Sequence, residues 1–305
     1  MTIWTTHGLW ERTAPATPAT TPLAGSVATD VVVVGAGYTG LSTALHLAEA
    51  GVSVAVIEAE EIGHGGSGRN SGLLNPGLWL SPEETRAKLG VERGDHVLRI
   101  LGEGPKVAVE LMRRHGIDCE LATSGTLYCA VGDAGLAAVR TRVEEWRRVG
   151  APVEFLDAET TAARTGSRRF AGALFDARAG TIQPLAYVRG LARAAIGAGA
   201  TIHTGSRVTG FARHGATWRV TTTTGSVEAG WLILATNVHT GALRDEIRRE
   251  LVRVPYFNIA TAPLDPSLAG HILPGGEGAW NTLTVPTSFR RDAAGRLIIG
   301  SVGAG

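Results

Sequence analysis

One stretch limits the fold more than any other: DVVVVGAGYTGLSTALHLAEAGVSVAVIEAE, residues 30–60. Val31–Val34 is a continuous β-branched run, as a strand buried on both faces requires. Leu41, Ala44, Leu45 and Ala48 then recur at helical spacing, and Gly51 ends that helix. Val54, Val56 and Ile57 open a second strand that closes at Glu58. Strand, helix and strand in about 30 residues make one crossover unit of a parallel sheet.

The turn from strand to helix reads Gly35-Ala36-Gly37-Tyr38-Thr39-Gly40, a G-x-G-x-x-G in the context that gives the pattern meaning. Gly35 permits the tight turn, Gly37 lets the main chain approach a diphosphate, and Gly40 allows the helix to pack close on the strand. The helix that Tyr38 and Thr39 open directs N–H groups and a positive dipole end at the phosphates. Glu58, 18 residues after Gly40, is placed to accept from a ribose 2′-hydroxyl and to repel a 2′-phosphate. The stretch therefore predicts a dinucleotide site for FAD or NAD, and not for NADP.

A second glycine-rich segment, GHGGSGRNSG (Gly63–Gly72), follows at once. Gly66 and Gly68 would bring the main chain close to a ligand. Ser67, Asn70 and Ser71 supply donors, and Arg69 a charge-assisted partner for a phosphate or a reduced flavin. Composition alone leaves a mobile surface loop equally open.

Other chemistries find no motif. The hydrolase pattern G-x-S-x-G fails because Arg69 follows Gly68, and no G-x-x-x-x-G-K-[ST] is present. Cys119 and Cys129 are too few for a disulfide framework and have no zinc-ligand spacing, so no metal is expected. The nine histidines show no ligand pattern; His46 is mid-helix, while His64 and His239 fall near the expected cofactor loops. With 29 Lys+Arg against 28 Asp+Glu, the net charge of +1 gives no footprint for nucleic acid or a membrane surface. Arg244, Arg248, Arg249 and Arg253 alternate with Asp245, Glu246 and Glu250, the pattern of a solvated helix face. No signal peptide and no apolar run of membrane length is evident, which predicts a cytoplasmic protein.

Elsewhere, Thr13–Ala24 is Pro/Thr-rich and predicts an extended arm. Ser81-Pro82-Glu83-Glu84 is a helix start with a capping box. Amphipathic helices are predicted over Pro105–His115 and Asp133–Val149, and an alanine-rich helix over Pro184–Ala198. Strands are predicted at Gly125–Val131, Pro152–Leu156, Phe170–Phe175, Thr201–Thr204, Thr217–Thr223 and Val227–Thr236, with a β-rich stretch from Val252.

These residues together resemble the FAD-dependent D-amino-acid oxidase superfamily, in particular its branch of gamma-glutamylputrescine oxidase and L-pipecolate oxidase. The likeness rests on PLAGSVATDVVVVGAGYTGLSTALHLAEAG, IEAEEIGHGGSGRNSG, SGTLYCAVG, AGTIQPLAYVRGLARAA, WLILATNVHTG, ATAPL and FRRDAAGRLIIG. The resemblance implies FAD rather than NAD. It also implies an α/β fold: a Rossmann-like FAD-binding domain (1–78 and 185–251) with an inserted mixed-sheet, α+β substrate domain (79–184 and 252–305). Carried over by position, Gly35, Gly37, Gly40 and Glu58 hold the ADP half, and Ser67, Arg69, Asn70 and Ser71 line the path to the flavin. Val208 contacts the adenine through its main chain, and Ala235 and Thr236 lie in the strand beneath the flavin.

The implied reaction oxidises the C–N bond of a small amine or amino acid, with a hydride passing to flavin N5 and the imine then hydrolysed. Dioxygen or a respiratory acceptor would take the electrons. No catalytic residue is singled out. A carboxylate substrate would want an arginine clamp, for which Arg253 and Arg290 are candidates, with Tyr256 and Trp79 as walls. Members of the family continue past the GRLIIG landmark, so a chain ending at Gly305 is expected to lack a C-terminal segment. The alternatives are a truncated, non-catalytic FAD- or nucleotide-binding remnant and an NAD-dependent dehydrogenase.

Overall fold

The computed structural model describes residues 7–303. These divide into two compact units. The first takes in the chain up to Asn70, Ile117–Cys119 and Pro184–Arg253; the second takes in Ser71–Gly116, Glu120–Gln183 and the chain from Val254 onward.

The first unit is built on a six-stranded sheet in the order Thr201–His203, Val54–Ile57, Gly25–Val34, Gly225–Leu234, Thr217–Thr222, Val208–His214. The first four strands run parallel and the last two close on as antiparallel hairpins. Val32, Val34, Ala55 and Ile57 form one buried face with Val220, Val227 and Ala229. The first strand begins at Gly25, six residues before the apolar run, because Gly25–Thr29 pair with Gly225–Ala229 while alternating between exposed and half-buried. Helices Tyr38–Glu49 and Pro184–Gly197 pack on one another. The second is buried almost all round, from Leu185 to Ala195, and even its Arg189 is buried.

Two elements of this unit differ from the expected pattern. A single helical turn, Leu9–Thr13, precedes the arm, and the stretch from Ala14 to Ala24 carries neither helix nor strand. The glycine-rich loop is not wholly irregular: Gly66–Gly68 form one 3-10 turn, with Gly68 N donating to Gly65 O (3.2 Å) and Arg69 N to Gly66 O (3.2 Å).

The second unit is a mixed seven-stranded sheet ordered Tyr256–Pro263, Arg296–Val302, Thr287–Arg291, Gly278–Asn281, Thr126–Ala130, Gly172–Asp176, Val153–Leu156. Only the pairing of Gly278–Asn281 with Thr126–Ala130 is parallel. Helix Gly132–Arg148 buries Val139, Val143 and Trp146 against one face. The capping box at Ser81 forms as expected: its hydroxyl accepts from Glu84 N (3.3 Å) while the Glu84 carboxylate accepts from Ser81 N (2.7 Å). The helix expected from Pro105 begins much earlier, spanning Val91–Arg114 with Pro105 inside it. Its amphipathic face, with Leu98, Val109 and Met112 buried, outweighs the hydrogen bond that the proline removes.

Among the described residues, no helix is long and apolar enough to cross a membrane.

Candidate cofactor site

The fingerprint turn lies where the strand Gly25–Val34 ends. Gly35 has φ 109°, a conformation that needs glycine, and a β-carbon there would stand 2.7 Å from the Ala235 carbonyl oxygen. A β-carbon on Gly40 would overlap the Gly35 carbonyl oxygen, closer than any real side chain comes. These two glycines therefore close the turn against its own neighbours. Gly37 differs: a β-carbon there would meet only the Ser67 side chain, with Oγ at 2.9 Å. Gly37 is the N-cap of helix Tyr38–Glu49, and a glycine brings no side chain to cap it.

The second loop comes to this helix end from the other side. Tyr38 N donates to Ser67 Oγ at 3.0 Å. Asn70 Nδ2 donates to the Gly66 (3.0 Å) and Ser67 (3.1 Å) carbonyls and to the Tyr38 hydroxyl (3.3 Å), and that hydroxyl donates to Pro184 O (3.1 Å). Gly63 N donates to Ala36 O at 3.0 Å, tying the start of the loop to the turn. A β-carbon on Gly66 would find nothing within 4 Å.

Glu58 closes the opposite edge. Its Oε2 accepts from Ala36 N (2.7 Å) and its Oε1 from Glu60 N (3.0 Å), so the carboxylate is fixed at the end of the second strand. Arg69 Nε donates to His64 O at 2.7 Å. Burial pulls its guanidinium below the ordinary arginine range, against the opposing pull of Glu61 and Glu11. Ala235 N donates to Val34 O (2.8 Å), which brings Ala235 and Thr236 up to Gly35. Val208 turns its side chain into the core, so only its main chain is left to meet a ligand. Ser71 belongs to the second unit, where its carbonyl accepts from Arg290 Nε at 2.9 Å.

One further residue joins this group. A β-carbon on Gly65 would lie 3.1 Å from His239 Nε2, so the histidine is stacked on the glycine loop. Partial desolvation first, and then Arg253, His64 and Arg207, hold the imidazole of this largely exposed residue below the ordinary value, with Glu58 opposing. The sequence signal was its place three residues after Thr236 in ATNVH.

The donor set suits an anion at the helix N-terminus and hydroxyls at Glu58, the chemistry of a diphosphate and a ribose. Among the described residues, His7, Glu11 and Glu61 bring possible metal-ligand atoms within 4.8 Å of one another. Glu11, however, already takes both its oxygens to Arg189 Nη2 (2.6 and 2.8 Å), so that cation balances the carboxylate. Cys119 and Cys129 are buried and not joined, and burial pushes the Cys129 thiol up to about 12.

In the second unit, Arg290 is fully buried and donates to the carbonyls of Ser71 (2.9 Å), Ile182 (2.8 Å) and Arg291 (3.3 Å). That is the geometry of a brace between main-chain segments rather than of a clamp for a substrate carboxylate. Arg253 lies in the first unit and is exposed. Tyr256 shares a hydrogen bond with Ser288 Oγ (2.7 Å). Trp79 is 70% exposed and sets its edge against Trp280 (5.0 Å), which stacks on Tyr128 (3.9 Å).

The family model for FAD-dependent oxidoreductases named DAO matches residues 30–304. The chain belongs to the DAO family of FAD-dependent oxidoreductases. Similar curated proteins include the probable oxidoreductase OrdL of Rhizobium meliloti (strain 1021), 32% identical over 96% of this chain and 68% of its own length. Another is the gamma-glutamylputrescine oxidoreductase of Escherichia coli (strain K12), 35% identical over 90% of this chain and 65% of its own. The chain thus spans about two thirds of the length of these relatives. Among solved structures, glycine oxidase from Geobacillus kaustophilus superposes with a TM-score of 0.71 at 22% identity, covering 91% of this chain and 73% of that one. L-amino acid deaminase from Proteus vulgaris gives 0.72 at 21% identity, covering 94% and 64%. At these identities the likeness shows the fold: α/β, built on a sheet of the FAD-binding kind.

Proposed function

We propose that the first unit holds FAD and that the enzyme oxidises the C–N bond of a small amine or amino acid. In this reading Gly35, Gly37, Tyr38, Thr39 and Gly40 meet the diphosphate and Glu58 the adenosine ribose. The main chain of Val208 meets the adenine, Ser67, Arg69 and Asn70 line the path toward the flavin, and Ala235 and Thr236 lie beneath it. The second unit holds the substrate. The observation that carries the reading is the meeting of two loops at one helix end: Ser67 Oγ on Tyr38 N at 3.0 Å, with Glu58 fixed on Ala36 N at 2.7 Å.

When bound, FAD supplies a hydride acceptor for the substrate's α-carbon. The chain's own residues do the rest. The helix N-terminus and Arg69 offset the diphosphate charge. Glu58, already oriented by two N–H groups, accepts from ribose hydroxyls without having to be ordered first. The substrate amine must be neutral to release a hydride, and a desolvating pocket lowers its pKa without a dedicated base. The relatives support an amine or amino-acid substrate: one is named for gamma-glutamylputrescine, and an oxidase of glycine shares the fold. Dioxygen or a respiratory carrier would take up the electrons, and the reading puts the enzyme in the cytoplasm.

The test is the visible absorption spectrum of the purified chain before and after anaerobic addition of gamma-glutamylputrescine or L-pipecolate. A flavin spectrum bleached by either compound is expected. A flavin spectrum that neither compound bleaches would leave a binding protein and remove these two substrates. A chain that takes up no FAD on reconstitution would overturn the reading.

A further inference from the structure

The residues from His7 to Ala24 precede the family match, which begins at residue 30, yet two of the first are among the most buried polar and aromatic side chains of the unit. His7 and Trp10 are 5% and 4% exposed. Both are turned onto the glycine-rich loop, at its two ends. His7 Nε2 donates to Gly63 O (3.1 Å), and Trp10 Nε1 donates to Asn70 O (3.1 Å). His7 stands just before Gly8, the N-cap of the turn Leu9–Thr13, and Trp10 lies within that turn.

Between these points the loop packs tightly on itself and on the clasp. A β-carbon on Gly68 would overlap the Gly63 carbonyl oxygen and would also stand 2.9 Å from His7 Cδ2 and 2.9 Å from Leu185 Cδ1, so the loop needs glycine there. Glu11, one residue after Trp10, anchors the turn to the buried Arg189 of helix Pro184–Gly197, and Arg189 Nη1 also donates to Pro15 O (3.0 Å). Arg193 donates to Ala16 O (3.0 Å). The arm is therefore fastened at its start, through its turn and along its next residues.

We infer that the His7–Glu11 turn is a clasp that positions the Gly63–Asn70 loop for FAD, and that His7 and Trp10 are positioning residues for the cofactor. The inference rests on the FAD reading above. The clasp grips the loop by the carbonyls of Gly63 and Asn70, while Ser67 between them meets the fingerprint helix. A loop rich in glycine has a large conformational freedom to lose on binding, and a clasp that removes this freedom beforehand raises affinity without touching the ligand.

The experiment compares the wild-type chain with Trp10→Phe, which keeps one aromatic ring and loses the indole donor, with His7→Leu, and with His7→Gln, which restores a donor. Amide hydrogen exchange of residues 63–70 in the FAD-free protein is read beside that of the central strand Val31–Val34, and FAD dissociation constants are measured by fluorescence. One neutral hydrogen bond is worth about 0.5–1.5 kcal/mol, so Trp10→Phe should speed loop exchange and weaken FAD binding by roughly 2- to 10-fold each, with exchange in the central strand unchanged. His7→Leu should do the same and His7→Gln should recover most of the loss. Should the histidine variants fail to fold, Glu11→Gln, which loosens the anchor at a partly exposed site, should shift both readings the same way by a smaller factor.

Loop exchange and affinity that stay at the wild-type values would overturn the clasp, as would acceleration of loop and strand together, which marks a purely global stabiliser. Faster loop exchange with unchanged FAD affinity would overturn its positioning role. Wild-type protein that takes up no FAD would overturn the FAD reading, and with it the purpose given to the clasp.

Discussion

Tyr38 gives its main-chain N–H to Ser67 Oγ at 3.0 Å, and the space above Gly37 ends on that same oxygen, 2.9 Å from where a β-carbon would be. A serine of the second loop thus caps the helix that Gly37 cannot cap. Gly37→Ala should push the hydroxyl away and Ser67→Ala should remove it, each costing about 1 kcal/mol of stability. Because both act on one contact, the double variant should cost less than the sum, with a coupling of about 0.5 kcal/mol or more. Urea unfolding of the four proteins without FAD decides it; strictly additive losses would show that the contact is not made.

Glu58 carries a second prediction. Its two oxygens each accept from a main-chain N–H, of Ala36 and Glu60. Glu58→Gln keeps the shape but must turn an NH₂ toward one of those donors and offers the ribose a poorer acceptor. Charge-assisted bonds are worth about twice neutral ones, so FAD affinity should fall by about tenfold and the FAD-free protein should lose about 1–3 kcal/mol. Fluorescence titration and urea unfolding read the two effects separately. Unchanged affinity would remove Glu58 from the cofactor site.

How much of this was legible in the sequence depends on how local each constraint is. Gly35, Gly40 and Glu58 act within one strand–helix–strand unit, so spacing alone located them, and the structure packs the turn as that pattern requires. The meeting of Ser67 with Tyr38 spans 29 positions in sequence, and no periodicity encodes it. The turn Leu9–Thr13 was invisible for another reason: five residues are too few for a hydrophobic period, and its partners Gly63, Asn70 and Arg189 are main-chain atoms or distant side chains. Helix Val91–Arg114 was cut short because Pro105 reads locally as a start, whereas the buried face on both sides of it is a tertiary fact.

Arg290 separates a brace from a clamp. Its guanidinium serves three carbonyls of the second unit, so Arg290→Met should strand those acceptors in a buried site and cost at least about 3 kcal/mol. Arg290→Lys, a point charge in place of a fork, should recover only part of it. Thermal unfolding of the FAD-free protein is the measurement. Intact stability combined with a raised KM for a carboxylate substrate would instead make Arg290 the clamp.

Two histidines, the buried His7 and the largely exposed His239, give the fold a pH dependence of definite sign. His7 is held below its ordinary value of 6.5 by burial and by Arg69, against Gly63 O, Glu61 and Glu11; His239 is held below it by partial desolvation, Arg253, His64 and Arg207, against Glu58. Above the ordinary value both rings are neutral, folded or unfolded, and they contribute nothing to the pH slope. As the pH falls through 6.5 the unfolded chain takes up protons that the folded chain does not, so stability drops with falling pH until the folded rings also titrate. The hydrogen-bonded carboxylates of Asp30, Asp157 and Asp265, all held below 3.8, titrate at lower pH still and leave this window to the histidines. The unfolding midpoint should therefore fall between pH 7.5 and 5.5, and His239→Asn should flatten part of that slope while His7→Gln flattens another part. A slope that neither substitution changes would mean that both rings titrate as they do in the unfolded chain.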